Sequence, residues 1–434
     1  MKFEILNEKE FMKFAENHEQ ASFHQTTCWG ELKSMTGWES YFVGVKENDK
    51  IIAASLILAK QTPVKKKMFY APRGFLIDYN DKKLLTFFTE ELKKWLKNNK
   101  AIFIKIDPYI SYQERDLYGN IVENGKNNKE AYNNLISLGY KHKGFNILGE
   151  ELQPRWIFIT PTKNTTIEEI MNNMDAKTRQ ILRKNERNKI RVREIGYDEL
   201  DKFKAISEHT AIRRGFIDRP LNYYQKMFKA FDKNKAIKIL LAELDTSSLI
   251  DEYNDEINTI KEERRLREKQ YNEDPTKINK SKYEQRQLQS LKEIERLEKN
   301  IKHIEDLKRK HGKIITLGGI LFYINKKEVL SSVGGSYDEF MEFQSAYTLH
   351  FEGMKYAIEN NLDRYNFYGI TGVFDENDPL FGLYSFKRDF GGKVVELIGE
   401  FDLVVDKANY ILYNNALKFY NIYKKHQIKK EKKN

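Results

Sequence analysis

The chain has 434 residues, 40% of them hydrophobic and 13% aromatic, which is enough for two or three domains with hydrophobic cores and excludes a disordered chain. Lys and Arg number 75 against 64 Asp and Glu, and the net charge of +11 favours an anionic partner. A single cysteine, Cys28, excludes an intramolecular disulfide framework and a thiolate zinc cluster. Residues 1–19 carry no signal-like apolar stretch, and the longest apolar runs, such as 51–59, are far below the roughly 20 residues of a transmembrane helix, so we expect a cytosolic protein.

In the first half, two β-patterns predict a hairpin. They cover residues 41–45 and 51–59 and are joined by the polar turn 46–50. A helix with apolar residues at i, i+3 and i+4 spacing follows from Lys82 to Lys97, and a strand follows at 101–107.

The second half repeats this order. It has β-patterns at 314–324 and 329–334, a helical pattern at 347–360 and a strand at 364–369. Both helices end in an Asn-Asn pair directly before a strand, and we interpret the two halves as an internal duplication. Chance is the alternative, because asparagine tolerates the left-handed conformation found at helix ends.

The segment 251–310 differs in composition from both halves, since it lacks glycine and 31 of its 60 residues are charged. Apolar residues at spacings of three and four form two stripes. They are Ile250, Tyr253, Ile257 and Ile260, then Leu288, Leu291, Ile294, Leu297, Ile301, Ile304 and Leu307. With a turn expected at 272–277, this predicts an antiparallel coiled-coil hairpin inserted in the second unit, because a β-pattern at 236–244 precedes it. The hairpin is either a spacer or dimer arm, or an arm that contacts a long polyanion.

Several common catalytic and metal-binding motifs are absent. The eight histidines include no His-x-x-x-His pair, and the sequence has no Gly-x-x-x-x-Gly-Lys-Ser/Thr, Gly-x-Gly-x-x-Gly or Gly-x-Ser-x-Gly. Histidine-based metal sites, nucleotide-phosphate loops and serine hydrolases are therefore disfavoured.

Two basic segments stand out. Between residues 177 and 193 eight cations face one acid, and Asp175 is placed to cap a helix that begins there. Such a helix is either a solvated face or a phosphate-contacting surface. Residues 213–224 interleave arginines with aromatic residues, a composition that could hold a diphosphate.

Eight short motifs follow one another along the chain. They are His24-Gln-Thr-Thr-Cys-Trp-Gly-Glu-Leu-Lys33, Pro72-Arg-Gly-Phe-Leu-Ile-Asp-Tyr79, Ile104-Lys-Ile-Asp-Pro108, Leu138-Gly-Tyr-Lys-His-Lys-Gly-Phe145, Gln153-Pro-Arg155, Tyr365-Asn-Phe-Tyr-Gly369, Gly382-Leu-Tyr-Ser-Phe-Lys387 and Ile398-Gly-Glu-Phe401. In this order they resemble the motifs of the Fem family of non-ribosomal peptidyltransferases, which add bridge amino acids from aminoacyl-tRNA to peptidoglycan precursors. Each motif alone is weak, but the set in family order spans nearly the whole chain.

The resemblance implies an α/β (α+β) fold of two tandem acetyltransferase-like (GNAT) domains with a helical hairpin inserted in the second. We expect the first domain at 1–150, the second at 151–246 and 313–405, the hairpin at 247–312, and a C-terminal helix with a basic tail at 406–434.

The resemblance also implies roles for individual residues. Lys33, Arg219 and Tyr223 match residues that bind the precursor diphosphate. Phe386 and Lys387 match a motif implicated at the acyl ester, where Lys387 can stabilise developing negative charge. We expect Lys33, Arg219 and Lys387 to converge on one cleft.

Other positions have weaker assignments. Asp107 is a candidate substrate contact, with a structural role as the alternative. Relatives have aromatic residues where this chain has Ser331-Ser332-Val333, so contacts there are not transferred. The candidates for tRNA binding come from the first basic segment and are Lys177, Arg179, Arg183, Lys184 and Arg187.

The expected function is transfer of an amino acid, with glycine mildly preferred, from aminoacyl-tRNA to the stem peptide or growing bridge of lipid II. No cofactor or metal is implied. Six lysines at 424–433 suggest contact with an anionic membrane surface. Two alternatives stay open: an acetyl-CoA-dependent N-acetyltransferase, although the Gln/Arg-x-x-Gly-x-Gly/Ala turn is missing, and a non-catalytic tRNA-binding protein.

Overall fold

A computed structural model of the protein describes residues 1–147 and 152–431, with side chains described up to residue 419. The first half forms these elements: β1 Lys2–Ile5, α1 Glu8–Ala15, α2 Thr27–Ser34, β2 Glu39–Glu47, β3 Lys50–Gln61, β4 Lys67–Ala71, α3 Lys82–Asn98, β5 Ala101–Ile106, β6 Ser111–Glu114, α4 Lys129–Ser137 and β7 Tyr140–His142. The predicted hairpin, helix and strand are confirmed as β2, β3, α3 and β5.

The second half is longer. Its elements are β8 Trp156–Pro161, α5 Ile167–Asn173, α6 Ala176–Arg187, β9 Ile190–Glu194, α7 Leu200–Arg214, α8 Leu221–Asp232, β10 Ile237–Asp245, α9 Thr246–Glu273, α10 Lys280–His311, β11 Ile314–Ile324, β12 Glu328–Ser336, α11 Ser345–Glu359, β13 Arg364–Gly369, α12 Phe381–Arg388, β14 Lys393–Leu397, β15 Phe401–Val404 and α13 Lys407–Glu431. Short 3-10 helices lie at Tyr197–Glu199 and Asp338–Phe343.

The strands form two mixed sheets of the same local topology. One sheet has the order β1-β2-β3-β4-β5-β15-β7 and the other β6-β14-β8-β13-β12-β11-β10-β9. In the first, β3 and β4 are antiparallel and α3 crosses over to place β5 parallel to β4. In the second, β11 and β12 are antiparallel and α11 places β13 parallel to β12. The predicted internal duplication is thus present in the topology.

The two sheets exchange strands. β15, from the end of the chain, lies between β5 and β7 in the first sheet, and β6, from the first half, pairs with β14 in the second. The division at residue 150 stays a prediction, but each sheet contains a strand from the other side of it. Sequence periodicity gives strands and not their partners, so it could not reveal this exchange.

The predicted antiparallel hairpin is formed by α9 and α10. Near its base Ile257, Ile294 and Leu297 are buried between the two arms, and Ile304 and Leu307 join the core of the second sheet. The turn spans 274–279, slightly later than the predicted 272–277.

In the outer part of the hairpin, the apolar residues of the predicted α10 stripe are not buried against α9. Leu288 and Leu291 are 53% and 42% exposed. Polar pairs cross the arms at this level: Arg264 Nε donates to Gln287 Oε1 at 2.9 Å, and Arg267 Nη2 donates to Ser290 Oγ at 2.9 Å. Polar contacts therefore interrupt the apolar seam at this level, and nearer the turn the rings of Tyr271 and Tyr283 stack across the arms at 4.3 Å.

Over residues 1–147 and 152–431, no helix combines the length and the apolarity that a bilayer crossing requires. The basic run 424–433 lies mostly in α13, where side chains are outside the described residues.

Candidate active site

Lys33 and Arg219 are brought together by the packing of α2 against α8. Thr26 caps α2 by accepting a hydrogen bond from the Trp29 N–H at 3.2 Å, and Lys33 lies in the last turn, with Nζ 4.3 Å from the centre of the Trp29 ring. Arg219 lies two residues before the start of α8, and its guanidinium is 5.1 Å from the centre of the Tyr223 ring. The three residues predicted to bind a diphosphate therefore form one group, which we call the dication cluster.

The electrostatics of the dication cluster suit an anion. Burial, with a smaller contribution from the charge of Arg219, lowers the pKa of Lys33 to about 8. Burial also raises the pKa of the Tyr223 hydroxyl, so it stays a neutral donor. Within the part of the chain that the structure covers, neither Lys33 nor Arg219 forms an ion pair. Two neighbouring cations without a counter-ion repel each other, and an anion bound between them would relieve this repulsion.

Lys387 occupies a second, more buried position in the last turn of α12. It is 7% exposed, and its Nζ donates to the carbonyl oxygens of Phe367 at 2.7 Å and Gly369 at 2.5 Å. Burial lowers the pKa of this ammonium to about 7. Its neighbour Phe386 is half-buried and packs edge-to-face on Tyr347 at 4.9 Å.

A β-bulge supplies the two carbonyls that hold Lys387. The parallel pairing of β12 with β13 ends at Asn366, and the register with β8 shifts between Asn366 and Gly369. Tyr368 sits in this interval with a left-handed φ of 64° and its N–H bonded to Asn366 Oδ1 at 2.8 Å. Bulges interrupt the ladder and free backbone groups, and they recur beside active sites.

Tyr368 connects the Lys387 position with the surroundings of the dication cluster through hydrogen bonds. Its hydroxyl donates to Gln153, which is also hydrogen-bonded to the buried His24. Burial first, and then the charges of Arg73 and Lys33, hold the pKa of His24 well below its usual range. His24 in turn packs on the Trp29 ring at 4.8 Å, next to Lys33. The described residues show no contact between Lys387 and Lys33 or Arg219. Of the three cations expected in one cleft, Lys33 and Arg219 form one group, and the convergence of Lys387 on the same cleft stays a prediction.

Asp107 lies in a buried cluster at the end of β5. Its Oδ1 accepts the Arg73 backbone N–H at 2.8 Å, its Oδ2 accepts the Tyr70 hydroxyl at 3.3 Å, and the Arg73 guanidinium is 3.7 Å away. Burial raises the pKa of the carboxyl to about 7, against the opposing effect of Arg73. Since its oxygens are occupied within the protein, the geometry favours the structural alternative, and substrate contact stays a prediction.

Helix α6 presents the basic surface predicted for tRNA. Asp175 caps it as predicted, accepting the Lys177 N–H at 2.7 Å. Four of the five candidates are exposed, namely Lys177, Arg183, Lys184 and Arg187. Arg179 instead turns back to the carbonyls at the end of α5, including Asn172 O at 3.3 Å, so its guanidinium caps that helix.

Two residues of this region had no predicted role. They are Tyr368 and Arg73. Arg73 has a left-handed φ of 54° and donates to Pro154 O at 2.8 Å, and its charge helps to lower the pKa of His24. Both belong to motifs that carry the family resemblance, so those motifs were the available signal, although nothing in them assigned a contact.

Comparison with known proteins identifies the family. The model of the FemAB family matches residues 6–418. Two relatives named Aminoacyltransferase FemA are similar along their full length. The Staphylococcus epidermidis protein is 33% identical over 426 residues, covering 96% of this chain and 99% of that protein. The Staphylococcus aureus protein is 32% identical over 423 residues, covering 96% and 98%.

The solved structure of FemX is also similar, with a TM-score of 0.81, 26% identity and coverage of 95% of this chain and 99% of FemX. This match confirms the expected fold class. Since the family model and the relatives both cover nearly the whole sequence, the chain belongs to the FemAB family and is an aminoacyltransferase.

Proposed function

We propose that this aminoacyltransferase takes its amino acid, with glycine preferred, from aminoacyl-tRNA. It transfers the amino acid to the stem peptide or growing bridge of lipid II, at the inner face of the plasma membrane. The observation that carries the proposal is the uncompensated pair Lys33 and Arg219 beside Tyr223, which suits the diphosphate of such a precursor.

The reaction needs little from the protein beyond positioning and charge stabilisation. The acceptor amine attacks the ester carbonyl carbon, the new C–N bond forms, and the C–O bond to the tRNA ribose breaks, with the amine proton transferred in net terms to the ribose oxygen. Holding the amine in line with the ester can supply several kcal/mol, roughly 7 or more in well-oriented systems. The tetrahedral oxyanion requires a donor, and Lys387 is the buried cation that we assign to it.

The protonation state of Lys387 follows from its hydrogen bonds. A neutral amine has two N–H groups, and both would be used by Phe367 O and Gly369 O. Only the ammonium has a third donor for the oxyanion, so the reactive form is the charged one.

At saturating substrates, transfer should therefore lose kcat as the pH rises through about 7, where Lys387 loses its proton. The acceptor amine contributes a separate rising limb, because it must be neutral. In the Lys387→Arg variant the guanidinium stays charged, so we expect the falling limb to disappear from whatever activity remains. Persistence of that limb in the variant, or its absence from the wild type, would contradict the assignment.

A transfer assay tests the proposed function as a whole. The purified protein is incubated with radiolabelled glycyl-tRNA and lipid II, and label in the lipid fraction is the expected result. Label from acetyl-CoA with none from tRNA would establish the acetyltransferase alternative. Binding of tRNA without any transfer would establish the non-catalytic one.

We place the tRNA on α6. Reversal of two exposed charges, Arg183→Glu with Arg187→Glu, should weaken tRNA binding by on the order of tenfold and reduce the slope of log affinity against log salt by about two. The matched control reverses Lys299 and Lys302, which are exposed on the hairpin arm α10. Weaker tRNA binding by the control variant alone would indicate that tRNA contacts the hairpin and not α6.

A further inference from the structure

Three apolar side chains project from the corner between α7 and α8. Ile212 is 79%, Phe216 48% and Ile217 80% exposed. Single apolar residues on a surface are ordinary, but three within six residues form an exposed patch of the kind that contacts a partner or a lipid. We call them the apolar corner.

The backbone holds these side chains outward. Helix α7 ends at Arg214, and the next residue, Gly215, turns the chain with a left-handed φ of 73°. The N–H groups of Gly215 and Phe216 donate to Ala211 O at 2.8 and 3.1 Å. On the other side Asp218 is anchored by the hydroxyls of Ser207 and Tyr224, both at 2.7 Å. Residues 216 and 217 lie between the end of α7 and the anchored Asp218, so their exposure is a consequence of the fold.

Three cations, Lys204, Arg214 and Arg219, lie around the apolar corner against two acids, Glu208 and Asp218, which both pair with Lys204 at 3.2 and 3.0 Å. Arg214 and Arg219 flank it and are exposed, and neither forms an ion pair with the residues that the structure describes. Exposed apolar side chains flanked by arginines are typical of proteins that enter the interface of an anionic bilayer.

The position of the corner links it to the dication cluster. Arg219 lies only two residues after Ile217 and packs on Tyr223. In a lipid-linked precursor the diphosphate joins the sugar to the lipid chain, so it lies at the bilayer surface. A protein that binds this diphosphate there must place its site within a few ångströms of the headgroups, which is where the apolar corner would hold it.

We propose that Ile212, Phe216 and Ile217 insert into the anionic membrane that carries the acceptor, so that its diphosphate reaches Lys33 and Arg219 without leaving the surface. This inference rests on the proposed function. The flanking arginines favour an anionic bilayer as the occupant, whereas a second copy of the chain, with a net charge of +11, would be repelled.

Tryptophan substitution provides a direct readout. In Phe216→Trp, emission from the new indole should shift to the blue and be quenched by brominated lipids in phosphatidylglycerol vesicles. The control is Tyr118→Trp, since Tyr118 is 72% exposed in the loop after β6, and it should show neither change. The measurement is made in high salt, where the attraction of the lysine run 424–433 is screened.

A serine variant tests the consequence. Ile212→Ser with Ile217→Ser should lower vesicle affinity about tenfold, and transfer to vesicle-bound lipid II with it, while transfer to a water-soluble precursor is unchanged. The control is Ile121→Ser, at a 60% exposed isoleucine elsewhere, and it should change neither.

The outcomes separate the two proposals. Vesicle insertion without any transfer by the wild type would refute the proposed function and leave the insertion standing. Transfer without indole quenching, or undiminished vesicle affinity of the serine variant, would overturn the insertion alone. Self-association that the serine variant abolishes, with no vesicle binding, would overturn it in favour of a second copy of the chain.

Discussion

Replacing Lys387 with methionine is expected to lower kcat for aminoacyl transfer by about 100-fold or more, the effect of removing one donor to an oxyanion. Methionine keeps the length and apolar stem of the lysine, so the side chain can still fill the buried position beneath β13. The loss should fall on kcat and not on KM for either substrate, because the interaction forms only in the transition state. Single-turnover transfer from charged tRNA measures it.

A matched control is available six residues later. Lys393 is exposed at the start of β14, and Lys393→Met should leave kcat unchanged. Circular dichroism of both variants shows whether the fold is intact, since Lys387 also ties α12 to the bulge of β13 through its two carbonyl contacts. Unchanged turnover of a folded Lys387→Met protein at saturating substrates would remove this residue from the mechanism.

The Arg219→Met variant should raise KM for a diphosphate-bearing acceptor by about 10- to 100-fold, the usual effect of losing a hydrogen bond between charged partners. We expect a smaller change in kcat, because the diphosphate is distant from the reacting ester in both ground state and transition state. Steady-state kinetics with a soluble diphosphate precursor avoids the membrane contribution of the same residue. Lys13, exposed on α1, provides the charge-matched control Lys13→Met.

The same cluster predicts a pH effect on binding. Lys33 is charged below its pKa of about 8 and neutral above it, so acceptor affinity should fall as the pH rises past 8. Arg219→Met removes one cause of the low pKa, although burial remains the first, and the fall should move to higher pH. A KM that is independent of pH in the wild type would contradict the role of Lys33.

Local structure in this protein could be predicted from sequence in segments whose conformation depends mainly on their own residues. The hairpin strands, α3, α11 and the cap at Asp175 follow from periodicity and capping chemistry, and the structure has them within a few residues. The Asn-Asn pairs were a less accurate guide to the residue that adopts the left-handed conformation after each helix. In the second half Asn361 has a left-handed φ of 48°, but in the first half it is Lys100, with φ of 59°, one residue after the pair.

Features that depend on distant partners could not be predicted in the same way. The stripe at Leu288 and Leu291 is regular on its own arm, but closure depends on the residues of α9 opposite, which are polar. The bulge at Tyr368 arises from a register shift between β13 and β8, and register is invisible in a single strand. Family resemblance identified Lys33, Arg219 and Lys387 as candidates, whereas only the structure shows the hydrogen bonds made at Tyr368.

The placement of β15 has a consequence for how the chain is made. Until residues 401–404 leave the ribosome, no strand lies between β5 and β7. Each of these two strands then has an unpaired edge inside the N-terminal sheet. The sheet of the first half can therefore be completed only after almost the entire polypeptide has been synthesised. A fragment ending near residue 150 would expose that gap permanently and is expected to aggregate, so the two units mature together and not in succession.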